Sequence, residues 1–198
     1  LAMTKAGLNL IPCYVPYARV SDDFENGMVD AALTMDVSRN LTNAFLSDTY
    51  ITYQNVAITL KSSGLAVYSV QDLHGKIVVG FQDANHILGP AYEAATANAL
   101  DYQEIAKQQN QVAMLFAHRT DIIIIDINIF KYYRQMILDE GVFDASQEVE
   151  IHTIFPPTRY SVAFRNEADC QAFNQALKTM RQSGDYQAIL ERYVSQAP

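Results

Sequence analysis

The tightest constraint on the fold is a pair of short, unbroken apolar runs, IVVGF at 77–81 and IIII at 122–125, each followed by polar residues. A strand with one wet face alternates apolar and polar side chains. Runs without that alternation belong to strands covered on both faces, as in parallel sheets flanked by helices. Neither run is long enough to span a bilayer. Around them the spacing turns helical. Val20 and Phe24 mark one face of a short helix closed by Asn26-Gly27, and 127–140 reads as a helix ended by Gly141. Leu88, Tyr92 and Ala95 continue one helical face through Gly89-Pro90, and another helix covers 111–118. Cys170, Phe173, Leu177 and Met180 recur at helical period up to Gly184, and Tyr186, Ile189, Leu190 and Tyr193 form a last stripe. Further strands are read at 9–14, 29–34, 52–60, 149–155 and 160–165. This alternation predicts an α/β chain with mostly parallel sheets.

Two breaker clusters divide the pattern. Ser62-Ser63-Gly64 closes the 52–60 strand, and Pro156-Pro157 closes the strand at 149–155. They bracket a middle stretch with its own strands and helices, which predicts two lobes joined by two crossings. Residues 1–61 and 155–198 are expected in the first lobe and 62–154 in the second. Such a design brings strand C-termini and helix N-termini to a central cleft, where small ligands bind.

Composition removes several functions. With 49% hydrophobic and 18% charged residues, the 198-residue chain is neither disordered nor collagen-like. Its 14 Lys+Arg against 22 Asp+Glu give a net charge of −8 spread along the chain, which argues against nucleic acid or an anionic membrane surface as partner. Cys13 and Cys170 lack CxxC or metal spacing, and their apolar neighbours predict two buried free thiols. The histidines His74, His86, His118 and His152 are dispersed, so no metal or other cofactor is expected. There is no GxSxG, GxxxxGK[ST], HExxH or GxGxxG, and no enzymatic activity is expected. Residues 1–9 lack the pattern of a secretory signal.

Gly27-Met28-Val29-Asp30-Ala31-Ala32, Ser47-Asp48-Thr49-Tyr50, the 72–80 segment DLHGKIVVG, the 118–126 segment HRTDIIIID and Gly184-Asp185-Tyr186-Gln187-Ala188-Ile189 occur in one order along the chain. Together they resemble the family 3 extracellular solute-binding proteins, the amino-acid-type periplasmic receptors of ABC importers. The resemblance implies a two-lobed periplasmic-binding-protein type II fold that closes over a small polar solute, an amino acid or related zwitterion, and hands it to a membrane permease. The alternative it implies is a ligand-sensing domain that signals to a kinase or cyclase; a dehydratase-like enzyme on the same fold is the third reading. It also implies a periplasmic or extracellular location after signal removal. The family's first strand and most of its first helix have no counterpart in this chain. A monomer is expected, or a dimer if a partner chain supplies that strand.

The resemblance also nominates a site. A zwitterion needs a cation opposite its carboxylate and an anion opposite its ammonium, because an unpaired buried charge is costly. Arg39 lies where the family clamps the carboxylate, and Asp126, at the end of the 122–125 run, matches the Asp that receives the ammonium. From the residues alone, Asp126 also reads as a helix N-cap for Ile127 onward. Asp83, Asn85 and His86 follow the 77–81 strand at a helix start, where backbone N–H groups attract anions, although the Asp83 side chain would repel one. Tyr17 and Tyr50, with Tyr53, are candidate aromatic walls, and Thr34 is a candidate hydroxyl.

Overall fold

A computed structural model describes residues 1–36, 41–141 and 143–194. Its contacts divide the chain into two units. Leu1–Tyr53 and the described residues from Thr158 onward form unit one, and Gln54–Pro157 forms unit two.

Unit one is built around β9 (Thr158–Phe164), which pairs with β1 (Ala31–Asp36) on one side and with β2 (Phe45–Leu46) and β3 (Ile51–Tyr53) on the other. The register sets Ala31 opposite Phe164 and Ile51 opposite Tyr160. Each face of this sheet has a core. Val162 and Phe164 pack with Met3 of α1 (Ala2–Lys5) and with Cys170, Phe173 and Leu177 of α7 (Glu167–Ser183). Ala32, Met35 and Ala163 pack with Phe24 of α2 (Tyr17–Glu25). The start of α7 is fixed by Asn166, whose side-chain oxygen accepts the N–H groups of Ala168 (2.8 Å) and Asp169 (3.3 Å). The last helix, α8, runs from Asp185 to Val194.

Unit two holds a five-stranded sheet in the order β6-β5-β7-β4-β8: β4 Asn55–Leu60, β5 Ile77–Phe81, β6 Asp101–Ile105, β7 Ile122–Asp126 and β8 Val149–His152. The isoleucine run explains its own composition. Ile123 and Ile125 join Val79, Val112, Leu115 and Phe130 in the core on one face, while Ile122 and Ile124 join Val78, Leu73, Tyr92 and Phe155 in the core on the other. All four are fully buried, and each stabilises the fold by about 1.5–3 kcal/mol. The helices are α3 (Ala84–Leu88), α4 (Pro90–Thr96), α5 (Gln108–Phe116) and α6 (Ile127–Glu140). From α5, the buried amide of Gln111 donates to the carbonyls of Val79 and Ile124, both at 2.7 Å, and so ties the helix to β5 and β7.

Several expectations are corrected. Among the described residues the sheets are not mostly parallel: the pairings in unit one are antiparallel, and in unit two only β5 with β6 and β5 with β7 run parallel. The stretch read as one strand at 52–60 is two, β3 and β4, in different sheets. At the break, the N–H of Gln54 goes to the Asp126 side chain (2.8 Å) and its carbonyl accepts the N–H of Ile127 (3.0 Å). Ser62 and Ser63 end a one-turn 3₁₀ helix inside unit two, with left-handed Gly64 after it. The helix read through Gly89 breaks there, at φ 86° and ψ 179°, a conformation open to glycine and closed to bulkier residues. The strand expected at 9–14 is absent. No described strand pairs with it, and Ile11 and Tyr14 are 83% and 93% exposed. Cys13 is exposed with it, whereas Cys170 is buried as expected, and both are free thiols. Among the described residues, no helix is long and apolar enough to cross a membrane.

Candidate functional site

The candidate residues fall into groups set by the strand ends. In unit one the group is Tyr17, Thr34 and Tyr50. Thr34 sits in β1 where the pairing with β9 shifts register between Ala32 and Met35, and it has a φ of 57°. A β-branched residue is strained in that left-handed conformation, by about 1–3 kcal/mol. Two phenols hold it in place. Tyr17 donates its hydroxyl to the Thr34 carbonyl (3.0 Å), and the Thr34 N–H donates to the hydroxyl of Tyr50 (3.2 Å). The Thr34 hydroxyl itself donates to the Leu33 carbonyl at 2.7 Å. Tyr50 is anchored at both ends, since its carbonyl accepts from the Tyr186 hydroxyl (2.7 Å) and its ring meets Phe173 edge to face. Burial is the main reason its phenol pKa is raised, so the hydroxyl stays protonated at any physiological pH. Tyr53 packs edge to face on Tyr160, with ring centroids 5.0 Å apart. Arg39 lies outside the described residues.

In unit two, Asp126 ends β7 and caps α6. Its Oδ1 accepts the N–H groups of Asn128 (2.9 Å) and Ile129 (3.1 Å), and its Oδ2 accepts that of Gln54 (2.8 Å). Three of the roughly four acceptor positions of the carboxylate are thus filled by described residues, which leave one on Oδ2. Burial raises the Asp126 pKa, and the three backbone hydrogen bonds oppose the rise.

The start of α3, at the C-terminal end of β5, has a different occupant from the one expected. Asp83 is left-handed (φ 70°, ψ 21°), and the N–H groups of Asp83 and Asn85 both donate to Glu104 of β6, to Oε2 at 2.7 Å and to Oε1 at 2.9 Å. The Tyr102 hydroxyl donates to the same Oε1 at 2.8 Å. The Asn85 side chain is engaged as well, accepting from the Thr96 hydroxyl at 3.0 Å. His86 is exposed on α3. Burial, then the neighbouring Tyr92 and Glu104, raise the Tyr102 pKa and keep its proton on the phenol. Gly80 is required here: a Cβ at that position would lie 2.9 Å from the Tyr102 hydroxyl and 3.2 Å from that of Tyr92. Sequence reading missed both Glu104 and Tyr102 because 101–105 is a polar stretch. The available signal was the i, i+2 spacing of Tyr102 and Glu104, which places them on one face of a strand. Among the described residues, no group of His, Cys, Asp and Glu has the arrangement of a metal site.

No protein-family model and no curated protein matches the sequence. Solved structures do. The two α/β units have the fold of the type II periplasmic binding proteins. The chain is similar to an ancestral arginine-binding protein bound to arginine, at 20% identity and a TM-score of 0.78, over 97% of this chain and 83% of that one. It is similar to the amino acid ABC transporter substrate-binding protein AbpA from Streptococcus pneumoniae bound to L-arginine, at 20% identity and a TM-score of 0.74, over 99% and 81%. It is also similar to a histidine kinase sensor domain that resembles periplasmic binding proteins, at 16% identity and a TM-score of 0.75, over 98% and 82%. At these identities the likeness is one of fold.

Proposed function

We propose that the chain is an extracytoplasmic solute-binding protein of the family 3 type that takes an amino acid or a related small polar zwitterion and delivers it to the permease of an ABC importer. The observation that carries the reading is the fold itself. It is shared over 97–99% of this chain with proteins described as binding arginine or as amino acid transporter components. Asp126 supports it as the group for the solute's ammonium, because its carboxylate is buried at a strand end and keeps one open acceptor position. Tyr17, Thr34 and Tyr50 are the contact candidates of unit one, and Arg39 is the cation proposed for the solute's carboxylate. The protein acts as a binder rather than a catalyst in this reading, and as a monomer outside the cytoplasm.

Titration calorimetry against amino acids, polyamines and small organic acids tests it. At least one amino acid or amine is expected to bind saturably with one site, and Arg39→Ala is expected to weaken a zwitterion. A panel without heat from any compound overturns the reading. The sensor-domain likeness supports a second reading, in which the same binding event is reported to a kinase. Gene neighbourhood separates the two, since a permease and ATPase pair accompanies transport and a kinase or cyclase accompanies sensing.

A further inference from the structure

Tyr186, on the first turn of α8, lies outside the group of Tyr17, Thr34 and Tyr50, yet its hydroxyl decides how Tyr50 is held. A residue has two soft backbone dihedrals, so fixing the peptide planes on both of its sides fixes the direction of its side chain. At Tyr50 both planes are held. In the plane before it, the Thr49 carbonyl accepts from the Arg181 guanidinium, and the Tyr50 N–H donates to the Tyr160 carbonyl at 3.0 Å. In the plane after it, the Tyr50 carbonyl accepts from the Tyr186 hydroxyl at 2.7 Å. Arg181 also lies over the Tyr186 ring, 5.1 Å from its centroid, and both tyrosines pack against the core that holds Phe173 and Leu177. The phenol of Tyr50 is thereby carried to the Thr34 N–H, which it accepts at 3.2 Å. Thr34 stands where the pairing of β1 with β9 shifts, between Ala32 and Met35, and that phenol is what receives its N–H in the left-handed turn.

We propose that Tyr186 is a positioning residue for the candidate solute contacts of unit one: by holding the Tyr50 carbonyl it sets the phenol against Thr34 and keeps residue 34 in its left-handed turn. The inference rests on the proposed solute-binding function, in which Tyr50 and Thr34 are contacts and Tyr186 acts only through them. Among the described residues, the Tyr186 hydroxyl is the group that holds the second plane. On the first plane the Arg181 contact is exposed and that of Tyr160 runs backbone to backbone. Coupling of this kind is reciprocal: a solute that engages Tyr50 and Thr34 tightens the docking of α8, and a loosened α8 weakens the solute.

The test removes the hydroxyl alone. Tyr186→Phe keeps the ring, and Tyr50→Phe, which takes away the acceptor of the Thr34 N–H, gives the released state for reference. As a control, Lys5→Ala breaks the exposed ion pair of Lys5 with Asp185 (3.1 Å) and loosens α8 without touching Tyr50. The readouts are amide hydrogen exchange at Thr34 and its ¹H–¹⁵N, Cα and Cβ resonances. In Tyr186→Phe, exchange at Thr34 should quicken about tenfold relative to the amides of β9, and its resonances should move toward those of Tyr50→Phe. In Lys5→Ala, Thr34 should stay in step with β9. For the amino acid found by calorimetry, Kd should rise several-fold in Tyr186→Phe, and the double variant should bind no more weakly than Tyr50→Phe, because both changes act on one contact. A Thr34 that keeps its native resonances in Tyr186→Phe, or quickens only in step with β9, overturns the proposal, as does an unchanged Kd. Should Tyr186→Phe not fold, Arg181→Ala carries the test through the same Thr34 readouts, since it frees both the Thr49 carbonyl and the stacked ring from an exposed position. The Thr34 measurements need no solute. A panel in which nothing binds therefore counts against the proposed function alone and leaves hydrogen exchange to decide the role of Tyr186.

Discussion

Asp126 shows how one side chain holds several parts of the fold together. It caps α6, pins Gln54 where β3 gives way to β4, and keeps one acceptor position unused among the described residues. Because burial raises its pKa above the ordinary 3.8, the folded chain binds this proton more tightly than the unfolded chain. Stability contributed through Asp126 therefore falls as pH rises from 3.8 through the raised folded value. Carbon NMR titration of the side chain is expected to give a midpoint above 3.8, and a midpoint at or below that value would show that the three hydrogen bonds outweigh burial. Asp126→Ala should cost about 2–4 kcal/mol, from the lost cap and the orphaned Gln54 N–H, as read by urea denaturation. Thr34 carries the opposite expectation. Replacing a strained β-branched residue at φ 57° with glycine removes the steric penalty and adds chain entropy to the unfolded state, for a net gain of about 1 kcal/mol. A loss of similar size in Thr34→Gly would mean that the two tyrosine contacts depend on the threonine side chain.

At the scale of elements, what was legible in the sequence followed from burial on both faces. The runs at 77–81 and 122–125 are β5 and β7, and the stripes ending at Gly141 and Gly184 are α6 and α7, because their patterns are dictated by local packing. The group formed by Tyr17, Thr34 and Tyr50 was legible only as separate candidates, since a register shift in β1 brings them together. Partnership in a sheet is decided at a distance, and there the reading failed. The polar β6 is held in place by β5 on its inner edge and supplies Glu104, yet its residues carry no apolar signature. Conversely, 9–14 has the composition of a strand and no strand to pair with among the described residues. Thiol labelling separates these two kinds of apolar segment. Cys13, exposed in the unpaired stretch, should react with Ellman's reagent at the rate of a free thiol in the native chain. Cys170, buried on α7 with its pKa raised chiefly by desolvation, should react only on unfolding. Equal rates for the two under native conditions would contradict the placement of 9–14.

For the whole molecule, charge and binding energy act on the same equilibrium. A net charge of −8 gives an approaching anion an unfavourable field. A zwitterion or cation meets no such obstacle, and any solute that binds only the folded chain links its binding to folding. At a hundredfold excess over Kd, a solute that binds only the native state stabilises it by about 2.7 kcal/mol. For 198 residues that corresponds to a rise of roughly 5–10 °C in Tm, growing with the logarithm of solute concentration. Scanning calorimetry of the native chain with the amino acid found by titration should show this shift. Raising the salt concentration should reduce it more for a cationic amino acid than for a net-neutral one, because screening removes the long-range attraction of the −8 charge and leaves the local contacts. A shift that is largest for an acidic amino acid and grows with salt would place the recognition on an anion, against the field of the chain.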